Sequence, residues 1–76
     1  MNKNRRAKLF EALGYLRAAE RIVEDALEEE EDCLNNLPDG ISDSERYEKM
    51  ESAAGSLSSA ADSIGEAIES IEEARA

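Results

Sequence analysis

Residues 47–74 read YEKMESAAGSLSSAADSIGEAIESIEEA, and this stretch decides the fold. Tyr47, Met50, Ala54, Leu57, Ala61, Ile64, Ile68 and Ile71 alternate in steps of three and four, with Ala53, Ala60, Ala67 and Ala74 beside them, one per heptad. That period belongs to a helix packed along a seam against another helix. The first half of the chain repeats it. Leu9, Leu13, Leu16, Glu20, Val23, Leu27, Glu30, Leu34 and Leu37 form the seam, and Ala12, Ala19, Ala26 and Cys33 keep the flanking track. The spacing specifies close helix packing and no chemistry.

Working outward, Asn36-Leu37-Pro38-Asp39-Gly40 supplies the break between the halves. Pro38 disfavours helical geometry in the residue before it, and Gly40 tolerates a positive φ. Ser42 and Glu45 have the spacing of a capping box, preceded by Ile41. The expectation is one domain over residues 1–76, with a first helix over about 3–36, a turn over 37–42 and a second helix over about 43–75. A short break makes the helices antiparallel neighbours, so the fold class is all-α: an antiparallel two-helix hairpin of alanine-rich coiled-coil type. The charges agree, because a hairpin brings Lys3, Arg5, Arg6 and Lys8 beside Glu66, Glu69, Glu72 and Glu73. Matching seam layers sets Leu13 near Ile64, Leu16 near Ala61, Val23 near Ala54, and Glu30 near Tyr47. Gly14 would allow a neighbour to approach closely.

The apolar face of the first helix is wider than one seam requires. Phe10, Tyr15, Ala18 and Ile22 lie outside the tracks, which implies a second packing surface. A 76-residue chain has difficulty stabilising itself with a private core, and alanine-rich layers bury little area. Self-association through Tyr15, Ala18 and Ile22 into a four-helix or larger bundle is the expected remedy.

The formal net charge is −10, from 19 acidic and 9 basic residues. This disfavours direct nucleic-acid binding and anionic membranes, and it suits a basic partner, though it also serves solubility. The basic N-terminus has no apolar segment following it in the manner of a signal peptide, and no apolar run has the length of a membrane helix. With one cysteine and no histidine, neither an internal disulfide nor a Cys/His zinc site is expected. A cytoplasmic location follows, with Cys33 a small packed side chain. No nucleophile has an evident base partner and no glycine loop has a nucleotide-binding pattern, so neither enzymatic activity nor a cofactor is expected.

Three groups of residues are candidate sites. The densest is acidic: Glu24, Asp25, Glu28, Glu29, Glu31 and Asp32 crowd the C-terminal half of the first helix, where they oppose its dipole and repel one another at i,i+4. They are read either as a docking surface for a basic protein or as a solvated face. Arg46 and Tyr47 follow a capped helix start and are a candidate anion site, suited to a nucleotide-like ligand; the alternative is a turn packed by Tyr47. Glu20 and Glu30 sit in the seam itself, where an acid fixes register if paired; the alternative is a seam-edge glutamate that reaches solvent. Arg17, Arg21 and Arg46 are their candidate partners. A calcium loop at 39–45 lacks the required ligand spacing, and no other metal site is expected.

Asn36-Leu37-Pro38, Ser44-Glu45-Arg46-Tyr47-Glu48-Lys49-Met50-Glu51 and the ending Ala67-Ile68-Glu69-Ser70-Ile71-Glu72-Glu73-Ala74 resemble small acidic proteins encoded by phages and prophages of Gram-positive gut bacteria. The resemblance runs nearly end to end and implies a phage-borne context, hence a host cytoplasm. It carries no functional residues. The expected function is that of a non-enzymatic binding protein, such as a counter-defence inhibitor seated on a basic host surface. The alternatives are an oligomeric sponge for a nucleotide-like signalling molecule and a purely structural oligomer.

Overall fold

The computed structural model describes residues 1–37 and 45–76. Two helices account for nearly all of them, α1 over Lys3–Asn35 and α2 over Glu45–Arg75. They pack against each other in antiparallel fashion as a rod of 59 × 14 × 14 Å, and the described residues include no strand. The expected start of the second helix at 43, most of the turn, and the Ser42 end of the capping box lie outside the described residues.

The ends of α1 are fixed by two asparagines. Asn2 is the N-cap, its Oδ1 accepting from the Arg5 backbone N–H at 2.9 Å, which satisfies one of the donors a helix start leaves open. At the other end the Asn36 amide Nδ2 donates to the Asp32 carbonyl at 2.8 Å. Neither end of α1 complements the helix dipole, since its first turn holds no acid and its last turn no base. By contrast α2 begins with Glu45 and Glu48 and ends with Arg75, the favourable arrangement.

The core is minimal. Among the described residues only Leu13, 1% exposed, and Ile68, 7% exposed, are fully buried. The other seam residues, from Leu9, Leu16, Val23 and Leu27 on α1 to Leu57, Ile64 and Ile71 on α2, are half-buried. Two helices alone cannot enclose a seam; each side chain keeps one flank in solvent. At the open end of the hairpin the Arg75 guanidinium lies 5.2 Å from the centre of the Phe10 ring, a cation–π contact worth about 0.5–1 kcal/mol when exposed.

Seam positions define the two broad faces of the rod. Taking Leu13 and Leu16 as a and d of a heptad, the alanine track of α1 falls at g, and Arg17 and Glu24 fall at e. On α2, with Tyr47 and Met50 as a and d, the alanines again fall at g, and Gly65 and Glu72 at e. In an antiparallel pair e faces e and g faces g. The Arg17–Glu72 ion pair, 2.6 Å between Nη2 and Oε1, closes the e side.

Three details differ from the sequence-based expectation. Cross-helix contacts toward the open end run two turns or more further toward the C-terminus of α2 than layer matching indicates: Glu20 meets Gly65, whereas the matched layers would oppose it to residue 57, and Arg17 pairs with Glu72 rather than facing residue 60. Long helical side chains lean toward their own N-terminus, which on an antiparallel partner means toward higher residue numbers. Gly14 is exposed, and a Cβ added there would meet nothing within 4 Å, so the close approach belongs to Gly65 instead. Cys33 is exposed rather than packed, because it sits in the last turns of α1, beyond the alanines that lie half-buried at Ala12, Ala19 and Ala26.

Candidate functional site

The e side of the rod is a polar groove built from both helices. Gly65 lines both of its concavities. A Cβ there would stand 3.3 Å from Glu20 Oε2, so the missing side chain makes room for a seam carboxylate to lie across α2. One concavity of about 420 Å³ is lined by Arg17, Glu20, Arg21, Glu24, Gly65, Ile68 and Glu69. The adjoining one, about 360 Å³, is lined by Glu20, Glu24, Ala61, Asp62, Gly65, Glu66 and Glu69. Five carboxylates from two helices therefore share the second concavity, and no cation lines it.

Neutralisation is sparse elsewhere too. Among the described residues the only ion pairs within 4 Å are Arg17–Glu72 and Lys49–Glu45, the latter at 3.4 Å. Arg17, a candidate partner for the seam acids Glu20 and Glu30, is bonded to Glu72 instead. The acidic block is entirely solvent-facing: Glu24, Asp25, Glu28, Glu29, Glu31 and Asp32 are all exposed. Glu24 alone of that block also lines the groove. Asp62, Glu66 and Glu69 were absent from the sequence-based candidates, because acids of one helix gain meaning only when the partner's acids are set beside them. Gly65, at an e position between Asp62 and Glu69, was the legible signal. No three described carboxylate or thiol groups are close enough to hold a metal ion.

The start of α2 is different. A third concavity, about 430 Å³, is lined by Glu30, Glu45, Arg46, Lys49 and Met50. Arg46 and Lys49 offer positive charge there, and Glu30 and Glu45 oppose it from the same wall. Tyr47 is half-buried in the seam and is not part of this lining. Its hydroxyl hydrogen-bonds Glu51, one turn on, and that bond, the charge of Glu51 and partial desolvation together raise its pKa above the usual 10.0.

The g side carries the oligomer candidates. Tyr15 and Ile22 are 70% and 69% exposed, and Ala18 is exposed between them. Tyr15 donates from its hydroxyl to Glu11 Oε1 at 3.1 Å, which leaves the ring face open. At i, i+3, i+4 and i+7, Tyr15, Ala18, Ala19 and Ile22 form one patch.

No described helix is long and apolar enough to cross a membrane. No family model matches the chain, and comparisons with curated proteins and with solved structures give no match either.

Proposed function

We propose that this chain is a non-enzymatic acidic binding protein that docks on a basic surface of another protein, as a phage-borne counter-defence inhibitor in the host cytoplasm would. One observation carries the reading: Glu20, Glu24, Asp62, Glu66 and Glu69 line one concavity of the groove that has no cation of its own, while Arg17 and Arg21 line the concavity beside it. A lysine or arginine entering that groove gains charge-assisted bonds from two helices at once. The exposed acidic block extends the same potential along α1 and steers a basic partner from a distance. The hairpin acts as a self-associating unit, its Tyr15, Ala18 and Ile22 patch covered by other copies, which leaves the polar groove outward.

A nucleotide-like sponge draws support from Arg46 and Lys49 in one concavity, but Glu30 and Glu45 beside them weaken any hold on an anion. The test is affinity capture from host lysate by the wild-type chain and by an E24Q/E66Q/E69Q variant, at low and high salt. A partner with a basic face, retained by the wild type at low salt and lost on neutralisation or added salt, supports the proposal. A retained partner indifferent to both charges and salt defeats it.

A further inference from the structure

We propose that the partner on the apolar g face is a second copy of this chain, laid head to tail about a twofold axis that crosses α1 near Ala19. The inference deepens the self-association reading above and rests on it.

Area makes the chain a candidate for self-association. The chain exposes 5760 Å², whereas a folded monomer of 8.4 kDa exposes about 4,600 Å² by the usual mass scaling. The excess is roughly 1,100 Å² per chain, and two copies removing that much from each other would reach the size of stable protein interfaces. The exposed Tyr15 and Ile22 are the large side chains such an interface needs at its centre. The half-buried alanines Ala12, Ala19 and Ala26 beside them admit a second backbone at close range. Across the rod, the same side of α2 offers Ala60 and Ala67 with Ser56 and Ser63, none of them charged.

Charge selects the orientation. Along α1 the position next to the alanine track is filled in turn by Lys8, Tyr15, Ile22 and Glu29, seven residues apart. All four are exposed. The order is basic, apolar, apolar, acidic, so it complements itself when reversed. A twofold axis between residues 18 and 19 sets Lys8 against Glu29 of the second copy, and Tyr15 against its Ile22, twice per dimer. The same arrangement brings Arg5, on the alanine side of α1, level with Asp32 of the second copy. A side-by-side dimer with like ends together would instead stack two acidic ends in a protein of net charge −10. The outward acids Glu24, Glu28 and Glu31 and the Gly65 groove stay exposed in the head-to-tail dimer, so binding a basic partner is compatible with it.

The native Cys33, exposed and the sole cysteine, reports the geometry without a mutation. A nitroxide attached to it should give an interchain distance of about 40 Å, from 1.5 Å of rise per residue over the separation across the axis. Like-ends-together packing gives less than about 20 Å, on the order of two helix diameters. Light scattering on the unlabelled chain is run alongside. K8E and E29K should each weaken the dimer by about tenfold through repulsion at both ends, and the K8E/E29K double variant should restore it. A monomer by scattering overturns self-association itself. A dimer with the short distance overturns the head-to-tail arrangement alone, and a dimer unmoved by K8E and E29K overturns the Lys8–Glu29 pairing and with it the position of the axis.

Discussion

Arg17 Nη2 on α1 and Glu72 Oε1 on α2 stand 2.6 Å apart across 55 residues of sequence. This is the only described ion pair that joins the helices, and it lies where the e side of α1 meets the e side of α2. Both side chains are about half exposed, so the bond gains modest energy and its main effect is on register. A double-mutant cycle with Arg17→Ala and Glu72→Ala should return a coupling of about 0.2–1 kcal/mol, diminishing with salt, in urea unfolding. A coupling of zero at low salt would mean that the pair contributes nothing to stability and does not hold the register.

The glycines separate helix propensity from packing. A Cβ at Gly14 or Gly55 meets nothing within 4 Å, so Gly14→Ala and Gly55→Ala should each stabilise the protein by about 0.5–1 kcal/mol. At Gly65 the new methyl would press on Glu20 Oε2. That atom ends a flexible side chain, so it yields, and Gly65→Ala should gain less than the other two. Thermal unfolding of the three variants checks the order. An equal gain at all three sites would show that Glu20 does not lie across α2.

The contrast between these glycines shows what was legible beforehand. Three- and four-residue spacing in one chain specifies two helices, and a proline–glycine break specifies their antiparallel return. Both follow from local rules, as does the exposure of Tyr15 and Ile22, which the seam had no place for. The polar groove does not follow from local rules. It exists because Gly65 lies under Glu20, and that depends on the relative slide of two helices whose repeats are nearly uniform along their length. An alanine-rich seam packs almost equally well one heptad to either side, so layer matching missed the slide while finding the faces. The same uniformity hid the joining of Asp62, Glu66 and Glu69 to Glu20 and Glu24.

Tyr47 provides a spectroscopic check on the start of α2. The Glu51 carboxylate accepts its hydroxyl and repels the phenolate, so its pKa lies above 10.0. The raised value favours the protonated ring in the folded state. Its stabilising contribution is therefore complete below pH 10.0 and is lost as pH rises through the folded pKa. Ultraviolet titration of a Tyr15→Phe variant, which isolates Tyr47, should show the elevated midpoint, and adding Glu51→Gln should bring it down. A midpoint unaffected by Glu51→Gln would remove the hydrogen bond from the account.

Tyr15→Glu and Ile22→Glu test the apolar patch directly. Each places a carboxylate in the middle of a surface that self-association would desolvate, without a nearby cation to pair it. Light scattering at micromolar concentration should show the wild type as at least a dimer and both variants shifted to monomer, with helicity lowered because half-buried seam residues lose their cover. Variants that keep the wild-type mass would place the interface on another face.

Arg46 decides between the two ligand classes at the hairpin. It lines a concavity with Lys49, Glu30, Glu45 and Met50, and it is exposed. If the protein binds basic surfaces, Arg46→Ala removes a mismatched positive charge. Stability should then change by less than about 0.5 kcal/mol, as for most surface substitutions, and capture of a basic partner should be unchanged or tighter. Calorimetry with a nucleoside phosphate should show no binding by either form, because two carboxylates share the wall with the two cations. The opposite pattern, a nucleoside phosphate bound by the wild type and lost in Arg46→Ala with an unchanged circular dichroism spectrum, would replace the acidic-groove reading with that of an anion sponge. The difference between these outcomes is one of charge sign at a single site, so lysine at position 46 sharpens it: Arg46→Lys keeps the charge but loses the planar fork that grips phosphate, and should act like wild type toward a basic partner while weakening any phosphate bond.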